Sequence, residues 1–258
     1  MFPLRDINPT RIRPVVTWAL ILANVVVYFL FQPGVAETGS ADLPGVRFES
    51  RADEFAFQNA AIACELTTGS PLDAAEIIDG QCSDAPTGAP IVFPDKNIWL
   101  SVGVSMFLHG SIAHILFNMW SLWIFGNNVE EAFGHAGYLV FYLAAGIAAT
   151  LGFVLFNPEL TIPLVGASGA IAGVMGAYLV LFPAHRILTV VIVFVTAVPA
   201  VVFLGFWFFS QFLIAGQQTG VAWEAHVVGF VVGVVVALPL RNRLLANTLA
   251  GAQAGSLT

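Results

Sequence analysis

VGASGAIAGVMGAYLVLFP, residues 165–183, has no charged side chain, four glycines and one serine near its start. Small residues recurring three and four apart let helix backbones approach closely inside a membrane, where apolar bulk gives no packing advantage over lipid. Five further stretches share its apolar character. The chain reads as six spans, roughly 15–31, 104–125, 138–156, 165–182, 187–209 and 222–240. A bilayer core of about 30 Å asks for about 20 mostly apolar helical residues. Backbone groups in hydrocarbon must also be satisfied internally, which favours helices. The whole-chain composition agrees: 58% hydrophobic and 10% charged, against roughly 25% charged in soluble domains. The expected fold class is an all-α membrane protein, a six-transmembrane-helix bundle.

Lys and Arg placement sets the expected orientation. With the N-terminus inside, Arg5, Arg11, Arg13, Arg186, Arg241 and Arg243 fall on the cytoplasmic side, and Arg47, Arg51 and Lys96 in one long outer loop. The expected organisation is a cytoplasmic N-terminus at 1–14, a membrane domain at 15–243 with an extracytoplasmic loop at 33–96, and a cytoplasmic tail at 244–258, too short and polar for another span. Arg5, Arg11 and Arg13 ahead of an apolar run, with Gly34-Val35-Ala36 behind it, also fit a signal peptide. The length of the run favours a retained helix.

Loop 33–96 holds eleven of the sixteen acidic residues behind the net charge of −7, as a solvated loop would. No basic stripe or motif suggests nucleic acid. Within the loop, Phe55, Asn59, Ile62 and Leu66 recur at helical spacing. They suggest a short amphipathic helix, resting on the membrane surface or packed within the loop. Cys64 and Cys82, the two cysteines of the chain, both fall here. Outside the cytoplasmic membrane a disulfide persists, so a Cys64–Cys82 bridge is expected; two unrelated thiols are the alternative.

Polar groups inside a membrane are functional candidates. Those here are His109, His114 and Asn118 in the second span, Ser168 in the fourth and His226 in the sixth, with Glu224 near its start. In the N-inside topology all of them fall in the outer half of the membrane. That clustering does not suit a transporter or channel, which needs a polar path through both halves. Ser168 alone reads as a packing residue or as a nucleophile at a helix N-terminus, where free N–H groups favour negative charge. Pairing it with His226 favours the nucleophile, because a serine hydroxyl needs a base. Gly229 and Gly233 follow His226 on much the same face, so the sixth span is expected to pack closely on Gly169 and Gly173 of the fourth. His114 and Asn118 share a face and offer N–H donors to an oxyanion. His109, about 140° around the helix from His114, is expected to face elsewhere. Glu224 points away from His226, so a Ser–His dyad is expected rather than a triad. His109, His114 and His226 could ligate zinc, but no His-Glu-x-x-His motif supports a metal site.

HGSIAHILFNM (109–119), IFGNNVEEAFGHAGYLVFY (124–142), VGASGAIAGVMGAYLVLFP (165–183) and AHVVGFVVG (225–233), with PLRDINPTRIRPVVTWALILANV (3–25) ahead of them, resemble the bacterial rhomboid proteases. The resemblance covers nearly the whole chain apart from loop 33–96 and the tail. It implies a six-helix rhomboid bundle in the bacterial inner (cytoplasmic) membrane, with both termini cytoplasmic and a water-filled cavity open to the outside. It implies an intramembrane serine endopeptidase that needs no cofactor and cleaves single-span membrane proteins entering from the lipid bilayer. It assigns Ser168 as nucleophile and His226 as base. His114, Asn118 and the Ser168 backbone N–H form the oxyanion site, and His109, Glu130 and Gly134 are structural, while Gly166, Gly169, Gly229 and Gly233 surround the dyad. Two features depart from the pattern. Trp99 is followed by Leu100, where some rhomboids have a Trp-Arg pair, and the first loop is longer than in compact members. An escort protein of rhomboid type is the rival class; such relatives usually lack the serine or the histidine, and this chain has both.

Overall fold

The computed structural model describes residues 1–34, 42–43, 45–85, 87–215 and 220–255. Strand β1 (Phe2–Asp6) leads to α1 (Val15–Val26), which continues as a π-helical turn, Val27–Phe31, and stops at extended Gln32, just before Pro33. Then come β2 (Asp42–Leu43), β3 (Val46–Arg47), α2 (Arg51–Asn59), β4 (Ala61–Ile62), α3 (Ala63–Thr68) and α4 (Ala74–Asp79). Next are α5 (Ile98–Val104) and a 3-10 turn, Ser105–Phe107. The rest comprises α6 (Ile112–Phe133), α7 (His135–Phe156), β5 (Pro163–Leu164), α8 (Ser168–Leu181), β6 (Arg186–Val191), β7 (Phe194–Pro199), α9 (Ala200–Ile214) and α10 (Trp223–Gly255).

The protein is mostly helical, but the all-α expectation needs correction: β1, β6 and β7 form an antiparallel sheet in that order. Residues 187–199, read above as the first half of the fifth span, form most of the β6–β7 hairpin. Every residue from Ile187 to Val198 except Leu188, Phe194 and Ala197 is β-branched. Hydropathy cannot distinguish a strand from a helix here, whereas branching at Cβ favours the strand. Pro199 then caps α9, which has fifteen residues.

Among the described residues, two helices, His135–Phe156 and Trp223–Thr248, are long and apolar enough to cross a membrane. Ile98–Phe107 and Ile112–Phe133 pass that test only together, as a pair bent by 78°, and Val15–Phe31, Ser168–Leu181 and Ala200–Ile214 are shorter apolar helices. The second span therefore does not run straight over 104–125. It breaks at Leu108–Ser111, where the Ser111 hydroxyl accepts from the His114 N–H at 3.1 Å, and it extends to Phe133. That extension carries Asn127, Asn128 and Glu130, which hydropathy penalises. Asn128 Nδ2 donates to Asp6 at 2.7 Å, and Glu130 accepts from Val16 and Thr17. The tail is helical as well: α10 continues past Pro239 to Gly255, and Asn247 Nδ2 donates to the Ala132 carbonyl at 3.0 Å. Val35, Ala36 and residues 256–258 lie outside the described residues.

The chain divides into two compact units: residues 1–21, 117–149 and 168–258, and residues 22–116 with 150–167. In the second unit the helix expected across Phe55–Leu66 is interrupted. Ala61 and Ile62 pair with Leu164 and Pro163, a non-local contact that helical spacing cannot reveal. α2 is capped by the Ser50 hydroxyl, α4 by a reciprocal Asp73–Glu76 capping box. Cys64 and Cys82 are bonded, with Cα atoms 5.6 Å apart. Lys96 Nζ lies 2.6 Å from Glu65 Oε2, both side chains almost fully buried. Burial holds the Glu65 carboxyl above its usual range against the attraction of Lys96. It lowers the Lys96 ammonium in the same way.

Candidate active site

Glycine sets the approach of α8 to α10. A Cβ on Gly229 would lie 2.1 Å from the Gly169 carbonyl oxygen, and one on Gly233 2.0 Å from that of Gly173. From the other side, a Cβ on Gly176 would lie 2.1 Å from the Phe230 oxygen. These distances are far below van der Waals contact, so no other residue fits without moving a backbone. A Cβ on Gly169 or Gly173 would also come within 2.6 Å of Ala149 or Ala145 on α7.

This contact places the first residue of α8 beside the first turn of α10. Ser168 Oγ and His226 Nε2 are 2.8 Å apart. Ser168 follows Gly166, whose φ of +127° few residues other than glycine adopt, and whose N–H donates to the Ser105 carbonyl at 2.9 Å. As the first helical residue, Ser168 has a backbone N–H with no intrahelical acceptor. On the other ring nitrogen, His226 Nδ1 is 2.8 Å from Gln211 Oε1 of α9. Gln211 is buried, and its Nε2 donates to the Trp207 carbonyl at 3.0 Å. The Trp207 ring is tilted 37° to the imidazole, with centroids 5.9 Å apart.

Asn118, on α6 in the same unit, is 7% exposed, and its Nδ2 has no hydrogen-bond partner among the described residues. A buried donor without a partner is costly, and groups of this kind occur where a ligand or a transient charge supplies the partner. His114 and His109 belong to the second unit. Their rings are 5.0 Å apart and edge to face, which corrects the expectation that His109 faces elsewhere. His109 precedes α6 rather than belonging to it, so the angles of a helix do not apply between His109 and His114. Gln32 fixes this turn, accepting from the His109 N–H at 2.9 Å and donating to its carbonyl at 3.0 Å. Glu130 holds the N-terminus of α1: its carboxylate accepts from the Val16 and Thr17 N–H groups and the Thr17 hydroxyl at 2.7–2.9 Å, and meets His135 Nδ1 at 2.6 Å. Gly134, at φ +70°, makes the turn into α7.

Gln211 and Trp207 escaped the sequence reading, which sought an acidic partner for the histidine. The signal was present in the sequence, because Gln211 is an amide, beside Ser210, in the largely apolar run GFWFFSQFLI. As a metal site, Cys64, Glu76 and Cys82 are the one cluster of ligand-type groups within 4.8 Å among the described residues. Its sulfurs are bonded to each other and so are not thiolates. His226 Nε2 is already turned to Ser168.

A family model described as a rhomboid domain matches residues 96–243, more than half of the chain. Over 88 residues the chain is 40% identical to the rhomboid protease GluP of Bacillus subtilis, covering 34% of this chain and 17% of that protein. It is 32% identical over 148 residues to the mitochondrial rhomboid protein 1 of Saccharomyces cerevisiae, covering 53% and 40%. Over 160 residues it is 28% identical to the rhomboid protease AarA of Providencia stuartii, covering 54% and 55%. The aligned stretches thus span less than two thirds of each relative.

Proposed function

This chain belongs to the rhomboid family, and on that premise we propose that it is an intramembrane serine endopeptidase working through a Ser168–His226 dyad. The observation that carries the proposal is the 2.8 Å approach of Ser168 Oγ to His226 Nε2. Family membership and the apolar helices make it an integral membrane protein. In this reading α1, α6, α7, α8, α9 and α10 are the six spans, with both termini in the cytoplasm of a bacterial cell. The 33–96 loop and the dyad then lie toward the outer face.

Ser168 Oγ attacks the scissile carbonyl carbon while its proton passes to His226 Nε2. The resulting oxyanion is met by the Ser168 backbone N–H and by Asn118 Nδ2, a donor with no partner among the described residues. As the tetrahedral intermediate collapses, the imidazolium gives its proton to the leaving amine and an acyl-serine remains. Water, deprotonated by the same imidazole, releases the second product. The substrate is a single-span membrane protein entering from lipid. Its helix unwinds locally, because helical carbonyls are engaged in i→i−4 hydrogen bonds. Small residues at the cleaved bond accord with the family resemblance.

The test is cleavage of a panel of single-span proteins by the full chain in proteoliposomes, with product masses determined. Ser168→Ala and His226→Ala should each abolish cleavage in a folded protein, since nucleophile and base act as a unit. Asn118→Ala should lower turnover by about 10²–10³. Cleavage persisting in the Ser168 or His226 variant defeats the mechanism. A folded wild-type protein that binds these substrates without cutting them returns the escort reading.

A further inference from the structure

We propose that Gln211 is the positioning residue of the site. Its amide selects the His226 tautomer whose Nε2 lone pair faces the Ser168 hydroxyl, the part an aspartate plays in a Ser–His–Asp triad. The inference rests on the dyad reading above.

The geometry argues from the backbone outward. A peptide carbonyl only accepts hydrogen bonds, so the Trp207 carbonyl, 3.0 Å from the Gln211 amide nitrogen, requires the NH2 end of the amide. The oxygen end is thereby turned to His226 Nδ1 at 2.8 Å. An amide oxygen also only accepts, so Nδ1 carries the proton. In neutral imidazole the other nitrogen is then bare, and this is Nε2, 2.8 Å from Ser168 Oγ. One hydrogen bond within α9 therefore fixes an amide orientation, a tautomer and the direction of proton transfer. Because Gln211 is buried, water competes little for either end of the amide. The Trp207 ring limits rotation of the imidazole.

An amide differs from a carboxylate in one respect that experiment can read. It orients the ring but adds no negative charge to stabilise the imidazolium. Replacing it by Glu keeps an acceptor in place and adds the charge. Replacing it by Leu removes the acceptor at similar volume. Orienting partners of metal-bound histidines contribute about 10–100-fold, and a similar loss is expected here.

The experiment measures kcat, KM and the pH profile of kcat/KM for full-length wild type, Gln211→Leu, Gln211→Glu and Ser168→Ala in proteoliposomes. Thermal unfolding is recorded for each. Gln211→Leu should lower kcat by about 10–100-fold at nearly unchanged KM. Gln211→Glu should retain most turnover at alkaline pH, with the acid limb of its profile moved to higher pH, because the added carboxylate favours the protonated, inactive imidazole. If Gln211→Leu is within twofold of wild type, or the Gln211→Glu limb does not move, the inference is overturned. Should Gln211→Leu unfold, the Gln211→Glu profile alone decides, since a glutamine that does not face the imidazole would leave the limb in place. Activity surviving in Ser168→Ala would instead overturn the dyad reading, whatever the Gln211 variants show.

Discussion

The α8–α10 pair and the 42–96 segment are stabilised in opposite ways. Between α8 and α10 few polar contacts are made: the Ser168–His226 pair, and the Arg241 Nε–H donated to the Val180 carbonyl. The helices hold together because Gly169, Gly173, Gly176, Gly229 and Gly233 bring backbones closer than any side chain permits, and the gain is dispersion and close packing. Among its described residues the 42–96 segment has small apolar clusters, such as Val46, Phe48, Ala74 and Val92, or Ile62, Cys64 and Leu72. It relies on a disulfide, a buried ion pair and helix caps. A segment that cannot bury a large core needs such staples. The two regions are therefore fragile in different ways: the helix pair to added volume, the loop segment to the loss of one polar partner.

The largest effect should come from a side chain placed in the glycine contact. Gly233→Leu sets carbon atoms against the Gly173 carbonyl and should cost more than about 3 kcal/mol, the upper end for overpacked cores. Loss of the folded protein on size-exclusion chromatography, and of cleavage with it, is the expected result. A stable, active Gly233→Leu protein would mean that the helices are held by something other than close approach.

Next come the partners in the buried pair. Removing one charge leaves the other desolvated and alone, so Lys96→Met or Glu65→Leu should each cost about 3–5 kcal/mol. The double variant should recover most of that loss, because burial itself opposes both charges. Thermal melts of the two single variants and the double variant form the cycle. Additive losses would show that the pair is no stapling interaction.

The smallest of the three concerns the disulfide. Opening a loop with a sequence separation of 18 should cost about 3 kcal/mol by chain entropy. Cys82→Ser should therefore lower the melting temperature and leave the α8–α10 contact intact. Intact mass after alkylation, with and without reductant, checks the bond. Both thiols alkylating in protein isolated without reductant would remove it from the comparison.

What the sequence determined by itself was whatever rests on composition and short-range spacing. Long charge-free stretches marked apolar membrane segments, most of them helical. Gly169 with Gly173, and Gly229 with Gly233, marked the faces that meet, because three- and four-residue spacing is a property of the helix alone. Ser168 and His226 stood out because few polar groups survive in such runs. What only the tertiary structure decided were contacts between distant segments. The hairpin at 186–199 competes with helix through its partner β1, the break at Ala60–Ile62 through Pro163 and Leu164, and the polar end of α6 through Asp6 and the start of α1. The acceptor for His226 Nδ1 belongs to the same class. Gln211 lies fifteen residues away in another helix, and no spacing rule links them. The reason is physical: helix and strand periods repeat over a few residues, whereas hydrogen-bond satisfaction of a buried group depends on whichever atoms the fold brings within 3 Å, at any distance along the chain.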